Sequence, residues 1–264
     1  MNFKLFIKDH IYYLILIGLI ISSCTSTKNS LMKTTDFDEI SSKAYKYVQN
    51  NENQKAKDLL LDAMSKYKPV RSPFVENGTL VYYSTNSAET MAAMLLSAAH
   101  FNIIKDKGLS AAKSEEDSLL FELYEKTPWN NSIAIRPSYP MLYFIMGSIY
   151  NTEKKYKEAI KYLDTATYIY KCYGIAWAEK MYSYISSGDF KKAKEIGEYA
   201  LKIHNMFLDE SGTAAIQRKL GWIAVEENEL DKAEEYYKKS LKNEENEGVH
   251  KELEYIEKAK KKFK

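Results

Sequence analysis

Cysteine is nearly absent from this chain. Its 264 residues contain only Cys24 and Cys172, which rules out a disulfide framework and leaves stability to packing. Proline is scarce and confined. All five prolines (Pro69, Pro73, Pro128, Pro137, Pro140) fall in one stretch, so regular structure is interrupted there and uninterrupted elsewhere. Charge of one sign is also lacking. With 38 Lys+Arg against 36 Asp+Glu, nothing calls for nucleic acid or a strongly acidic partner. The signatures of chemistry are missing too. His100, His204 and His250 have no second ligand at metal spacing, and the chain has no CxxC, HExxH, GxSxG or GxxxxGK. The acidic run Glu115-Glu116-Asp117 follows Ser114 and reads as a helix start rather than an acid/base pair. No catalytic residue, metal or cofactor is expected, and the protein is read as a non-enzyme.

Only one long apolar run is present, residues 11–21 (IYYLILIGLII). A bilayer span needs about 20 apolar residues, so this run suits the core of a signal peptide better than a transmembrane helix. Lys4 and Lys8 precede it, and Ile21-Ser22-Ser23-Cys24 closes it. That ending resembles the lipobox of bacterial lipoproteins. The resemblance implies cleavage before Cys24 and attachment of palmitate-type acyl chains to it. Two or more chains hold a protein stably at a membrane, where one does not. The alternatives are an ordinary secretory leader with a chance cysteine, or an uncleaved anchor. With Cys24 acylated, Cys172 stands alone and no internal disulfide can form; it is expected as a small buried residue at a helix junction. The expected location is the bacterial cell envelope, lipid-anchored and facing periplasm or exterior.

Residues 24–35 are polar and small (CTSTKNSLMKTT) and read as a tether, spanning roughly 18 Å as a coil. Helical periodicity begins at 36. Ala44 and Tyr47 share a face, Asn51-Glu52-Asn53 makes a turn, and Ala56, Leu60 and Ala63 share a second face. This gives an N-terminal hairpin over 36–68. The proline-containing segment 69–137 follows. In it Asn77-Gly78 marks a turn, 79–85 an extended piece, and 86–104 and 109–126 a degenerate helical pair. From 138 to 246 three units of paired helices recur, and a capping helix closes the chain over 247–264. Ala159 and Ala193 stand 34 residues apart in matching surroundings, a period of stacked helix-turn-helix repeats.

The residues that recur are Tyr143, Met146, Gly147, Tyr150, Tyr156, Ala159, Leu163 and Ala166. Trp177, Tyr184, Phe190, Ala193 and Ala200 follow, then Leu220, Gly221, Leu230, Ala233, Tyr237 and Ser240. This pattern resembles the tetratricopeptide repeat. Lys180, Met181, Gly197 and Ala224 depart from it, and the 40-residue spacing from Ala193 to Ala233 implies an insertion near 206–210. The resemblance implies an all-α fold, an α-solenoid of stacked helical hairpins with a C-terminal capping helix. Small residues let helix axes approach closely while large ones fill the holes between. Most of the 22 tyrosines fall on packing positions or helix flanks, so core is their first explanation and sugar stacking the other.

In the family, first helices line a groove. The resemblance places Tyr45, Met141, Phe144, Ser148, Asn151, Ile175, Tyr182, Ser186, Arg218, Trp222 and Glu226 along it. Phe144 and Trp222 are the foremost contact candidates. An aromatic groove suits an extended peptide or an amphipathic helix; packing against the next hairpin or the insert is the other reading of each residue. Phe144 and Ser148 occupy places where some family members clamp a C-terminal carboxylate, which argues against that activity. The expected function is a membrane-anchored scaffold for a protein or peptide partner. A narrower version is an assembly or piloting factor for an outer-membrane machine. The alternative is a solute-binding or enzymatic lipoprotein with a site between 69–137 and the groove.

Overall fold

The computed structural model describes residues 35–66, 69–84, 132–137, 139–203 and 210–262, with a few positions between 118 and 127. The leader, Cys24 and the tether lie outside the described residues. So does the helical pair expected at 86–104 and 109–126, apart from a few helical positions between 118 and 126. The insertion near 206–210 is likewise almost wholly outside them.

Nine helices are present among the described residues. They are α1 (Thr35–Gln49), α2 (Asn53–Ser65), α3 (Tyr139–Thr152), α4 (Tyr156–Ile169), α5 (Gly174–Ser186), α6 (Phe190–Ile203), α7 (Glu210–Glu226), α8 (Leu230–Asn243) and α9 (Glu247–Lys262). They pair as hairpins α1/α2, α3/α4, α5/α6 and α7/α8, and α9 packs on α8. This is the all-α stack of helical hairpins that the sequence pattern implies.

All four hairpins turn by the same device. Asn51, Lys154, Gly188 and Asn228 sit at positive φ, between 58° and 86°. The next residue's N–H then reaches five back to a carbonyl: Glu52 to Tyr47, Lys155 to Tyr150, Asp189 to Tyr184, Glu229 to Ala224, at 2.8–2.9 Å. This is the Schellman closure, in which a left-handed residue satisfies the orphan carbonyls at a helix end. Asn and Gly tolerate that backbone well; Lys154 does not, and is held there by its neighbours.

Close approach follows from the small residues. Ala44, Ala56, Ala159, Ala166, Ala193, Ala200 and Ala233 are fully buried. Gly147 on α3 faces α4 so tightly that an added Cβ would lie 2.5 Å from Leu163 Cγ. Trp177, Met181, Ile196, Ile216, Leu220 and Ile223 fill the core between α5, α6 and α7. Ala224, Ala233, Tyr237, Val249 and Ile256 seal α9 onto the end of the stack.

The proline-containing stretch is not all helical. It carries a three-stranded sheet in the order β1-β2-β3, from Phe74–Glu76, Thr79–Ser84 and Ser132–Pro137. The turn at Asn77-Gly78 joins β1 to β2 antiparallel, while β3 returns to pair parallel with β2. Only the β2 strand is anticipated by the sequence pattern. The sheet is tied to the stack by Tyr83, whose ring lies 5.4 Å from that of Tyr139 on α3, and by the Ser72 N–H, which donates to the Ile169 carbonyl at 2.7 Å. Helices α1 and α2 nevertheless pack directly on α3. The array thus runs on across the segment that separates its first two hairpins.

Candidate functional site

Three of the first helices, α1, α5 and α7, leave one face uncovered in a shared register, whereas α3 is buried along most of its length. On α5 the residues that are not buried include Ile175, Glu179, Tyr182 and Ser186, spaced four, three and four apart. On α7 the same spacing gives Ala215, Lys219, Trp222 and Glu226, and on α1 it gives Asp38, Ser42, Tyr45 and Gln49. These spacings hold one side of a helix. Tyr45, Tyr182 and Ile175 are 43%, 41% and 38% exposed and share this face, while other exposed apolar side chains such as Tyr168 and Tyr255 lie on the second helices and the capping helix. An open hollow of about 490 Å³ lies between α1 and α3, lined by Asp38, Ser41, Ser42, Tyr45, Lys46, Gln49 and Met141.

The polar floor of this face is ordered. Asn151 Nδ2 donates to Glu179 Oε1 at 2.8 Å, and Ser183 Oγ donates to Asn151 Oδ1 at 2.8 Å. Three helical turns from α3 and α5 are thereby cross-linked, and Glu179 is held in place. Burial raises the pKa of the Tyr45 hydroxyl, and the Glu179 carboxylate raises it further. Lys219 lies next along the face, its ammonium 5.4 Å from the centroid of the Tyr182 ring. Loss of water pushes its pKa down; Glu179 opposes that and Arg218 adds to it.

The sequence-derived groove residues divide. Tyr45, Met141, Ile175 and Tyr182 stand on the open face, with Ser148 and Ser186 half-buried and Glu226 exposed. Phe144 is buried, its ring 5.4 Å from that of Tyr173, and serves packing. Asn151 is also buried and acts through Glu179 rather than by direct exposure. Arg218 turns toward α8 and pairs with Glu244 at 2.9 Å. Trp222 is half-buried against the α5–α7 core and lies 5.7 Å from the Phe190 ring. Phe144, Asn151 and Arg218 are each one position off the open register, which sends a helical side chain about 100° around the axis. Glu179 and Lys219 are the residues that the sequence reading missed. The signal was present: four residues on from Ile175, and three before Trp222.

Cys172 is buried and forms no disulfide. Among the described residues no group of three His, Cys, Asp or Glu side chains is placed to hold a metal ion, and no helix is long and apolar enough to cross a membrane.

No protein-family model matches the chain, and no curated protein matches it. Among solved structures the chain is similar to one described as a functional characterization of Pseudomonas aeruginosa pilF. The identity is 16%, the match covers 79% of this chain and 77% of that chain, and the TM-score is 0.35. A likeness at that level carries no weight for function.

Proposed function

We propose that this protein is a helical-repeat scaffold that binds an extended peptide segment of a partner protein, held at a membrane of the bacterial cell envelope through lipid on Cys24. The observation that supports binding is the uncovered face of the first helices. Tyr45, Ile175 and Tyr182 expose large surfaces on equivalent positions of first helices, beside the polar network of Asn151, Glu179 and Ser183. Flat aromatic rings supply contact area with little entropy loss, which suits recognition of an extended chain. Attachment is supported by the apolar run at 11–21 and by Ile21-Ser22-Ser23-Cys24 after it.

Two experiments test the reading. Cys24→Ser should move the protein from the membrane to the soluble fraction; an unchanged membrane fraction overturns lipid attachment. Tyr45→Ala combined with Tyr182→Ala should weaken capture of peptides selected on the wild-type chain, with helicity and melting unchanged. Full retention of capture by this variant overturns the assignment of the face.

A further inference from the structure

We infer that the open face receives an acidic side chain of the partner peptide at Lys219, beside the ring of Tyr182. This rests on the peptide-binding reading above and makes its chemistry specific.

Pairing sets Lys219 apart from its neighbours. The other cations that are buried or half-buried on the described helices all have carboxylates: Lys57 with Glu153, Lys180 with Asp164, Lys194 with Glu227, Arg218 with Glu244, and Lys260 with Asp231 and Glu234. Lys219 is half-buried, and among the described residues no carboxylate lies within ion-pair reach of it. An ammonium drawn out of water without a counter-charge is unfavourable, and its cheapest remedy is an anion brought from outside. The nearby Glu179 does not fill that role. Its Oε1 is engaged by Asn151, and its field reaches Lys219 only from beyond contact distance.

The surroundings define what the anion is attached to. Tyr182 and Ile175 lie exposed toward α5, and Trp222 and Glu226 continue the stripe along α7. The face is exposed at Tyr182 and Ile175 on the α5 side of Lys219 and again at Glu226 beyond the half-buried Trp222, so a polypeptide laid along α5 can offer a side chain to it. Glu179 and Glu226 share the face and repel any carboxylate that is not in direct contact with Lys219. The fitting ligand is an extended segment with one Asp or Glu flanked by apolar residues, the carboxylate on Lys219 and the apolar neighbours on Tyr182 and Ile175.

The test is a selection of phage-displayed random peptides on the immobilised full chain, followed by fluorescence anisotropy on the enriched sequences made with amidated C-termini. The enriched peptides should share an acidic residue between apolar ones. Changing that residue to its amide, or making Lys219→Met in the protein, should weaken binding about tenfold each, and both together little more, as expected for one charged hydrogen bond. Lys219→Arg should restore most of the affinity, which also guards against a Lys219→Met variant that merely folds poorly. Enriched peptides without a shared acid, or effects of the two changes that simply add, overturn this inference alone. In that case Tyr182→Ala still weakens binding if the groove reading is correct. Failure of any peptide to enrich overturns both.

Discussion

Lys57 on α2 and Glu153 in the turn after α3 lie 96 positions apart in the chain and meet as an ion pair at 2.5 Å. The Lys57 ammonium also stands 4.5 Å over the Tyr150 ring. Lys57 is buried, whereas Glu153 is half-buried and also pairs with the exposed Lys155 at 2.8 Å. They join the first hairpin to the second across the whole proline-containing excursion, so the pair marks a true neighbour contact of the stack rather than a surface accident.

Breaking that pair from one side should be severe. Glu153→Ala leaves the Lys57 ammonium buried with the Tyr150 ring but no counter-charge and should destabilise the fold by about 3 kcal/mol. Lys57→Met keeps the volume and removes the charge, and should cost no more than about 1 kcal/mol. Urea melts of the two variants check this, and equal losses would refute the asymmetry.

The α3–α4 contact is governed by Gly147. Gly147→Ala drives a methyl to 2.5 Å from Leu163 Cγ, which is a branch point and cannot swing aside. A loss of about 1–3 kcal/mol is expected. Gly197→Ala should be milder, because its nearest neighbours are the Met181 Cε and Sδ atoms at 2.6 and 2.8 Å, the end of a flexible chain. Thermal melts rank the pair.

Packing and binding residues on the first helices should separate cleanly. Phe144→Ala empties a buried ring site and should destabilise by about 3 kcal/mol. Tyr182→Ala removes an exposed ring and should change stability by less than about 1 kcal/mol. Calorimetry of both variants tests the division, and a Phe144→Ala protein as stable as wild type would return that residue to the groove.

The α8–α9 seal should respond to acid. Hydrogen bonds from Lys238 and then Lys260 lower the Glu234 pKa from 4.5 to about 2. A carboxylate depressed by folding stabilises above its unfolded pKa and loses that contribution as protons return. The Glu234 contribution should thus be intact above pH about 4.5 and fade as pH falls toward about 2. Glu234→Gln should flatten this part of the stability–pH curve. An unchanged slope in the variant would assign the acid sensitivity to other groups.

Which features were legible in the sequence follows from how local their causes are. The second helices of each pair were readable because Ala56, Ala159, Ala193 and Ala233 mark a contact where only a small side chain fits, and the resulting all-α stack of hairpins is what forms. The turns at Asn51, Gly188 and Asn228 carry residues suited to a left-handed backbone; the one at Lys154 does not, so its equivalence to the others is visible only in the dihedral angles. Strand β3 was not legible because its partner, β2, lies more than forty residues earlier, and parallel pairing leaves no turn signal between them. On the open face the register decided everything. Tyr45 and Tyr182 were placed on it, whereas Arg218 was chosen where Lys219 stands, because both are basic and a single step separates them.

Each hairpin closes over a few residues and needs no help from afar. The Lys57–Glu153 joint instead closes a loop of 96, and chain entropy against closure rises by about 0.6 kcal/mol for each doubling of length. The Ser72–Ile169 bond closes a loop just as long, so the contacts that span the excursion form against more chain entropy than any hairpin turn, and under heat or mechanical load the first hairpin is the part placed to peel away.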